Sequence, residues 1–400
     1  MACRSCGHEQ LNLVVDLGEQ AWCNDFLTPE RVGSEPTYPL RLVICPKCEL
    51  AQLDHTVPKE TMFKDHTYLS GTTTTLAKHF LELAANQTTD YPIGKDDLIV
   101  DIGGNDGTQL AQYRKLGFTN LLNVESADNI AAISQSIGIR TANTFFNDTF
   151  VAEWLDYRAE KAKIISASGV FFHLEELHSV IRGIVELLAD DGIFLVQFMY
   201  FGDMLSKTSF DGIYHEHLCY YSLKSLQNLL EPYGLEVFDA KHSPIHGGSV
   251  VARVCHKGAY KNTSDKVIMD SVDSVVCSAE AINGFAKRVQ EFRVRLKSIC
   301  DGIKDDGDHI IAVGAPAKGN TLLTYVGLDN KYIDVVYEAN DLKIGRVTPV
   351  THIPIVEEDK TFKANIYYLL LSWNFADEIM AKYPKGSKFI LPFPVPRVVS

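Results

Sequence analysis

LIVDIGGNDG, residues 98–107, is the stretch on which the fold turns. Leu98, Ile99, Val100 and Ile102 make an apolar run too short for a helix, and it stops at a pair of glycines. A strand buried on both faces reads this way, and small residues after it suit a tight turn into a helix. Outward from it, apolar runs recur at 120–124 (NLLNV), 163–167 (KIISA) and 193–198 (IFLVQF). Helical spacing fills the intervals 110–116, 130–136 and 177–188. Such alternation predicts a parallel, doubly wound α/β sheet with helices on both faces. Upstream, TTTLAKHFLELAAN (73–86) sets Leu76, Phe80, Leu83 and Ala84 on one helical stripe. Downstream, HGGSVVARVC (246–255) reads as a strand entered through a glycine pair. The interval 266–303 is mostly helical in pattern. A second α/β run follows over 310–313, 322–326, 332–337, 364–371 and 388–391.

At 400 residues the chain exceeds what one core usually serves. The organisation expected is a small N-terminal unit (1–70), a central α/β domain (71–260) and a C-terminal α/β domain (261–400). Hydrophobic residues at 46% and charged residues at 22% exclude wholesale disorder. The formal charge of −13 is poorly suited to holding a phosphate backbone, so no nucleic-acid partner is expected. No window approaches the roughly 20 apolar residues of a membrane span, and MACRSCGHEQ lacks the apolar core of a secretory signal. A cytoplasmic monomer away from membranes is the expectation.

Nine cysteines occur, and only four stand in a regular pattern. Cys3-x-x-Cys6 and Cys45-x-x-Cys48 have the spacing that places four thiolates on one tetrahedral Zn²⁺, a closed structural site without an open position. A segment with so little core of its own needs such a staple. Cys23, Cys219, Cys255, Cys277 and Cys300 read as buried small hydrophobes.

The glycine turn is not Gly-x-Gly-x-x-Gly and lacks the Lys-Ser/Thr ending of a phosphate-cradling loop. Asp101-x-Gly103-x-Asn105-x-Gly107 instead resembles motif I of the S-adenosylmethionine-dependent methyltransferases. Glu125 ends the next run (NVES), where an acid can accept from both ribose hydroxyls. The richest titratable cluster is Tyr214-His215-Glu216-His217. Its His-x-His spacing is open to a metal, but no further motif supplies a third ligand. A His that titrates near neutrality beside a Glu that can orient it suits acid/base work.

With the four cysteines and the motif-I turn, the segments TSFDGIYHEH, HGGS, GAPAKGNTLL and GRVTPVTHIPI follow an order that resembles the sugar 3-C-methyltransferases of deoxysugar biosynthesis, the tetronitrose type. The resemblance covers nearly the whole chain. It implies a zinc-binding N-terminal domain, a Rossmann-like methyltransferase domain and a Rossmann-like C-terminal domain. The implied cofactors are S-adenosylmethionine and structural zinc, and the implied substrate is a nucleotide-linked 4-keto-6-deoxyhexose. Carried over residue by residue, His217 is the expected base, with Tyr214 and Glu216 beside it and Tyr68 (HTYLSG) and His173 (GVFFHL) lining the site. Gly314, Lys318 and Asn320 are expected to help form the sugar-nucleotide pocket. Two positions depart from the pattern: Gln197 stands where relatives often carry an acid, and SASGVFF (166–172) lacks a common Asn. Both bear on which sugar is used.

The implied chemistry is enolisation. A C4 ketone acidifies the adjacent C–H, His217 takes the C3 proton, and Tyr214 or His173 donates to the enolate oxygen while Glu216 orients the cluster. Methylation at C5, also next to the ketone, is the nearest alternative. A zinc-ribbon RNA methyltransferase would need a basic stripe that this acidic chain lacks, and a non-enzymatic scaffold has no need of the Tyr-His-Glu-His cluster.

Overall fold

The computed structural model describes residues 1–58, 62, 74–361 and 363–400, arranged around three sheets. Leu98–Ile102 lies in the interior of the largest, and all five of its residues are buried, so both of its faces are covered. The seven strands run, in spatial order, Leu235–Ser243, Ser249–His256, Leu188–Met199, Ala162–Ser168, Leu98–Ile102, Leu121–Val124 and Arg140–Ala142. Ser249–His256 alone is antiparallel to its neighbours, which departs from the wholly parallel sheet expected. The cause is a connection of five residues from Ser243 to Ser249, too short for a crossover, so the chain can only double back. Leu188–Met199 starts earlier than the apolar run IFLVQF because the ladder continues back to Leu188, opposite Ala162.

The helix Thr74–Asp90 lies on this sheet by the predicted stripe. Leu76, Phe80 and Leu83 pack on Leu195 and Val251, and Ala84 joins Ile99, Leu110 and Tyr113. Thr108–Lys115 follows the glycine turn, and Leu177–Leu187 buries six apolar or small residues.

The N-terminal sheet is antiparallel, in the order Asn12–Ala21, Thr37–Ile44, Ala51–Leu53, Cys219–Tyr220. Its last strand comes from far along the sequence, two residues after His217. The C-terminal sheet runs Ile355–Glu357, Val336–Glu338, His309–Val313, Ile366–Leu370, Lys388–Leu391, Arg397–Val399, parallel except for the final strand. The interval 322–326 belongs to the helix Ala317–Val326, which follows His309–Val313 as Thr108–Lys115 follows Leu98–Ile102. The helix Ala279–Asp305 leads into this domain with Ile282, Phe285, Val289, Phe292, Leu296, Cys300 and Ile303 buried at spacings of three and four. One buried apolar cluster holds Leu42, Val100 and Leu322 alike, so the three sheets share a continuous core. Among the described residues no helix is long and apolar enough to cross a membrane.

Candidate active site

The cofactor-side residues come together at the carboxyl ends of the central strands, where open α/β sheets present ligands. Gly103 and Gly107 take φ of +59° and +79°, which favours glycine. Gly104 is required for a different reason: a Cβ there would come within 2.5 Å of Asn123 Oδ1 and 2.7 Å of Asp101 Oδ2. Glu125 lies beside the turn, its Oε2 accepting from Asn105 N at 3.1 Å and its Oε1 from Ala127 N at 2.9 Å. Asp101 is buried and accepts from Ser166 Oγ at 2.7 Å. Burial, with the Glu125 charge adding to it, pushes its carboxyl up to about 7. Burial also raises Glu125. The cradle of glycine backbone and two enclosed acids fits S-adenosylmethionine, and Asp101, Gly103, Asn105, Gly107 and Glu125 are the candidates to hold it.

Two predictions arise here. Gly104→Val abolishes cofactor binding in calorimetric titration, because the side chain overlaps both Asn123 and Asp101. Asp101→Asn stabilises the ligand-free protein more at pH 8 than at pH 5. A carboxyl whose folded pKa is raised keeps its full stability below its unfolded value near 4 and loses it progressively as pH rises to about 7. The carboxamide escapes that loss, on the order of a few kcal/mol at pH 8. Equal melting temperatures for both proteins across pH 5–8 would sink the claim.

The four knuckle cysteines converge as expected. All four sulfurs lie within 4.8 Å of one another, with Cys3–Cys48 at 3.4 Å and Cys6–Cys45 at 3.6 Å. Tetrahedral ligation at about 2.3 Å calls for sulfurs about 3.8 Å apart, so the donor set fits Zn²⁺. The knuckles share one shape: Gly7 N donates to Cys3 O and Glu49 N to Cys45 O, with Gly7 and Glu49 both in the left-handed region. Among the described residues this is the one group of three or more His, Cys, Asp or Glu side chains placed to hold a metal. The two histidines of the His-x-His pair face different surroundings. His215 is buried against Tyr38 and His55, and burial lowers it to about 4. His217 packs among Phe172, His173 and Tyr214, with ring centroids 4.7, 5.0 and 3.8 Å away.

His217 is 4% exposed, and its Nδ1 lies 2.9 Å from the carbonyl of Gly212. A carbonyl only accepts, so Nδ1 carries a proton, and the neutral form of the ring has its lone pair at Nε2. His173 is fixed in the same sense by the main-chain carbonyl of Glu216, 2.6 Å from its Nδ1. The Glu216 carboxylate takes its partners from the N-terminal domain. Its Oε1 accepts from Trp22 Nε1 and Asn24 Nδ2, both at 2.6 Å, so it ties the cluster to the N-terminal domain, and the partner of the His217 ring is Gly212. Burial, and next the charge of Glu216, push the Tyr214 phenol well up, which keeps it a hydrogen-bond donor. Tyr68 lies outside the described residues.

The C-terminal domain closes the same region. Gly314 has φ +82° and no room for a side chain, with Ser372 Oγ 2.2 Å from where its Cβ would stand. Asn320 Nδ2 donates to Cys23 O at 2.6 Å, so it holds the N-terminal domain. Lys318 lies in the first turn of Ala317–Val326, 3.7 Å from Asp211 Oδ2 and over the Trp373 ring, and its burial lowers its pKa. It is not a solvated loop lysine. Glu338, at the end of the strand beside the turn, accepts from Ala315 N, Ala339 N and Asn340 N, as Glu125 does in the central domain. Trp22, Asn24, Asp211, Gly212 and Glu338 escaped sequence reading. Only Glu338, an acid closing an apolar run after a glycine turn, left a local signal.

A seven-stranded sheet with one reversed strand and a glycine turn flanked by two buried acids are the marks of an S-adenosylmethionine-dependent methyltransferase. Family models agree along the chain: "Putative zinc binding domain" matches residues 3–63, "Methyltransferase domain" 71–240 and "C-methyltransferase C-terminal domain" 244–394. The C-methyltransferase NovU of Streptomyces niveus is 31% identical over 407 residues, covering 100% of this chain and 96% of that protein. The chain belongs to this C-methyltransferase family with a zinc-binding N-terminal domain. Among solved structures, the magnesium protoporphyrin IX methyltransferase of Synechocystis PCC 6803, with bound S-adenosylmethionine, is 10% identical over 44% of this chain and 78% of that one, TM-score 0.34. The YcgJ protein of Bacillus subtilis is 12% identical over 45% and 99%, TM-score 0.33.

Proposed function

We propose that the protein methylates C3 of a nucleotide-linked 4-keto-6-deoxyhexose, a step of deoxysugar biosynthesis, with His217 as the base. The observation that carries this reading is the orientation of His217, a buried imidazole whose Nδ1–H is spent on Gly212, so that its neutral form offers a lone pair at Nε2. A neutral imidazole of that form takes a proton from carbon, and the electron pair left behind delocalises onto the C4 oxygen as an enolate. Tyr214 is the donor to that oxygen. Its raised pKa keeps the phenol protonated, whereas His173 commits its Nδ1–H to Glu216 O. Bound S-adenosylmethionine supplies an electrophilic methyl group, which the C3 electron pair takes as the carbon–sulfur bond breaks. Glu216, through Trp22 and Asn24, keeps the cluster in place and dry. Gly314, Lys318 and Asn320 serve the sugar-nucleotide side through the domain contacts they make.

The test is solvent deuterium exchange into a dTDP-linked and a GDP-linked 4-keto-6-deoxyhexose, with S-adenosylhomocysteine present. Exchange at C3, followed by methylation there when S-adenosylmethionine is added, is the expected result. Exchange and methylation at C5 instead would reassign the position, and absence of both on every keto-sugar offered would reject a keto-sugar substrate.

A further inference from the structure

A buried carboxylate that the proposed chemistry does not use stands next to the group that orients the base. Asp211 is 1% exposed and belongs to the short 3-10 turn Phe210–Gly212. Both of its close partners come from the C-terminal domain. Trp373 Nε1 donates to its Oδ2 at 2.6 Å, and Lys318 Nζ lies 3.7 Å from the same oxygen and 4.1 Å from the centre of the Trp373 ring. Trp373 is itself seated against Phe393, ring centroids 4.9 Å apart, and Phe393 against Phe210, 5.7 Å apart. The turn is thus gripped on its polar and its apolar side by one domain. Its last residue is Gly212, whose carbonyl accepts the Nδ1–H of His217. That carbonyl also accepts from the Tyr220 hydroxyl at 3.5 Å, a long bond, so the grip on Asp211 is the stronger hold on the turn that carries it.

We infer that Asp211 is a positioning residue: with Trp373 and Lys318 it forms an interdomain latch that aims the Gly212 carbonyl and thereby fixes which nitrogen of His217 carries the proton. The consequence follows from covalent geometry. If the carbonyl turns away, the imidazole exchanges its proton between Nδ1 and Nε2, and the fraction with a lone pair at Nε2 falls. The latch also makes the base depend on the seating of the C-terminal domain, because Lys318 and Trp373 leave Asp211 if that domain shifts. The argument rests on His217 being the base for its effect on turnover, but the tautomer itself is measurable without any substrate.

The experiment uses the full-length, zinc-loaded protein labelled with ¹⁵N-histidine, whose ring nitrogens report the tautomer of each imidazole by NMR. His217→Asn identifies the resonance. The native protein is expected to show His217 as a single Nδ1–H form. Asp211→Ala and Trp373→Phe, the latter keeping the apolar contacts and removing only the indole N–H, are expected to convert it to a mixture. Asp211→Asn, which retains an oxygen for Trp373, is expected to keep the Nδ1–H form. With a dTDP-linked 4-keto-6-deoxyhexose as probe, Asp211→Ala and Trp373→Phe lower kcat about 10–100-fold, as loss of a histidine's orienting partner does elsewhere, with KM little changed. A single unchanged tautomer in Trp373→Phe, or in Asp211→Ala, overturns the latch. Retained proton exchange in His217→Asn overturns the base assignment and leaves the tautomer result standing, so the two failures are distinct.

Discussion

His217→Asn leaves S-adenosylmethionine binding close to that of the native protein and removes both methyl transfer and exchange of the substrate's C3 proton. Asparagine is smaller than histidine, yet its amide can still donate toward Gly212 O, so the turn that carries it keeps its partner. What is lost is the basic nitrogen. A positioned general base typically supplies about 10²–10⁴-fold, and loss of that factor is the expected fall in rate. The cofactor side keeps its own bonds, because Asp101 accepts from Ser166 and Glu125 accepts from Asn105 and Ala127. Calorimetry for the cofactor and deuterium exchange for the proton separate the two effects. Exchange at the native rate in this variant would show that another group removes the proton, with His173, 5.0 Å away ring to ring, the first to examine.

Removal of zinc has the second large effect. Metal analysis is expected to give about one zinc per chain. Structural zinc in small cysteine sites is worth about 10–16 kcal/mol in apparent terms near neutral pH, more than the whole stability of most domains. Stripping the metal, or Cys48→Ser, therefore releases the N-terminal knuckles, and with them the sheet that carries Trp22 and Asn24. Those two side chains are the donors to Glu216, a carboxylate 6% exposed that burial already pushes up in pKa. Unpaired, it becomes a buried group that must protonate or reach water, and either course disturbs the Glu216 carbonyl that holds His173. The expected result is lost turnover and faster proteolysis before Leu53, with S-adenosylmethionine still bound by the central domain. A zinc-free protein with full activity would refute the structural role of the metal.

The central sheet was legible because strands buried on both faces read as unbroken apolar runs: LIVDI became Leu98–Ile102 without adjustment at either end. Strand Leu188–Met199 was read short, since pairing with the neighbouring strand resumes at Leu188 beyond an irregular excursion over 189–192, where Asp190-Asp191-Gly192 looks like a turn. The reversed strand was visible as a strand, but its direction was fixed by the length of a connection. The metal site was legible because its chemistry demands a local spacing. The surroundings of the histidine cluster were not. Trp22 meets Glu216 across 194 residues and Trp373 meets Asp211 across 162, and no local pattern encodes contacts between chain segments so distant. Sequence could say that His217 and Glu216 were neighbours in the chain. Only tertiary packing decided that the carboxylate would turn to another domain and leave the ring to a glycine carbonyl.

Cys219–Tyr220, the two-residue strand that completes the N-terminal sheet, has a practical result for anyone exchanging parts among relatives. Its partner is Ala51–Leu53, so the metal-bearing unit is stitched to the chain at a point two residues past His217. A chimera that imports a foreign knuckle segment must import a matching edge as well, or the graft will pull on the reactive imidazole. Cutting the segment away should likewise yield an orphaned strip of backbone and a blunted enzyme, not an independent methyl-transferring core.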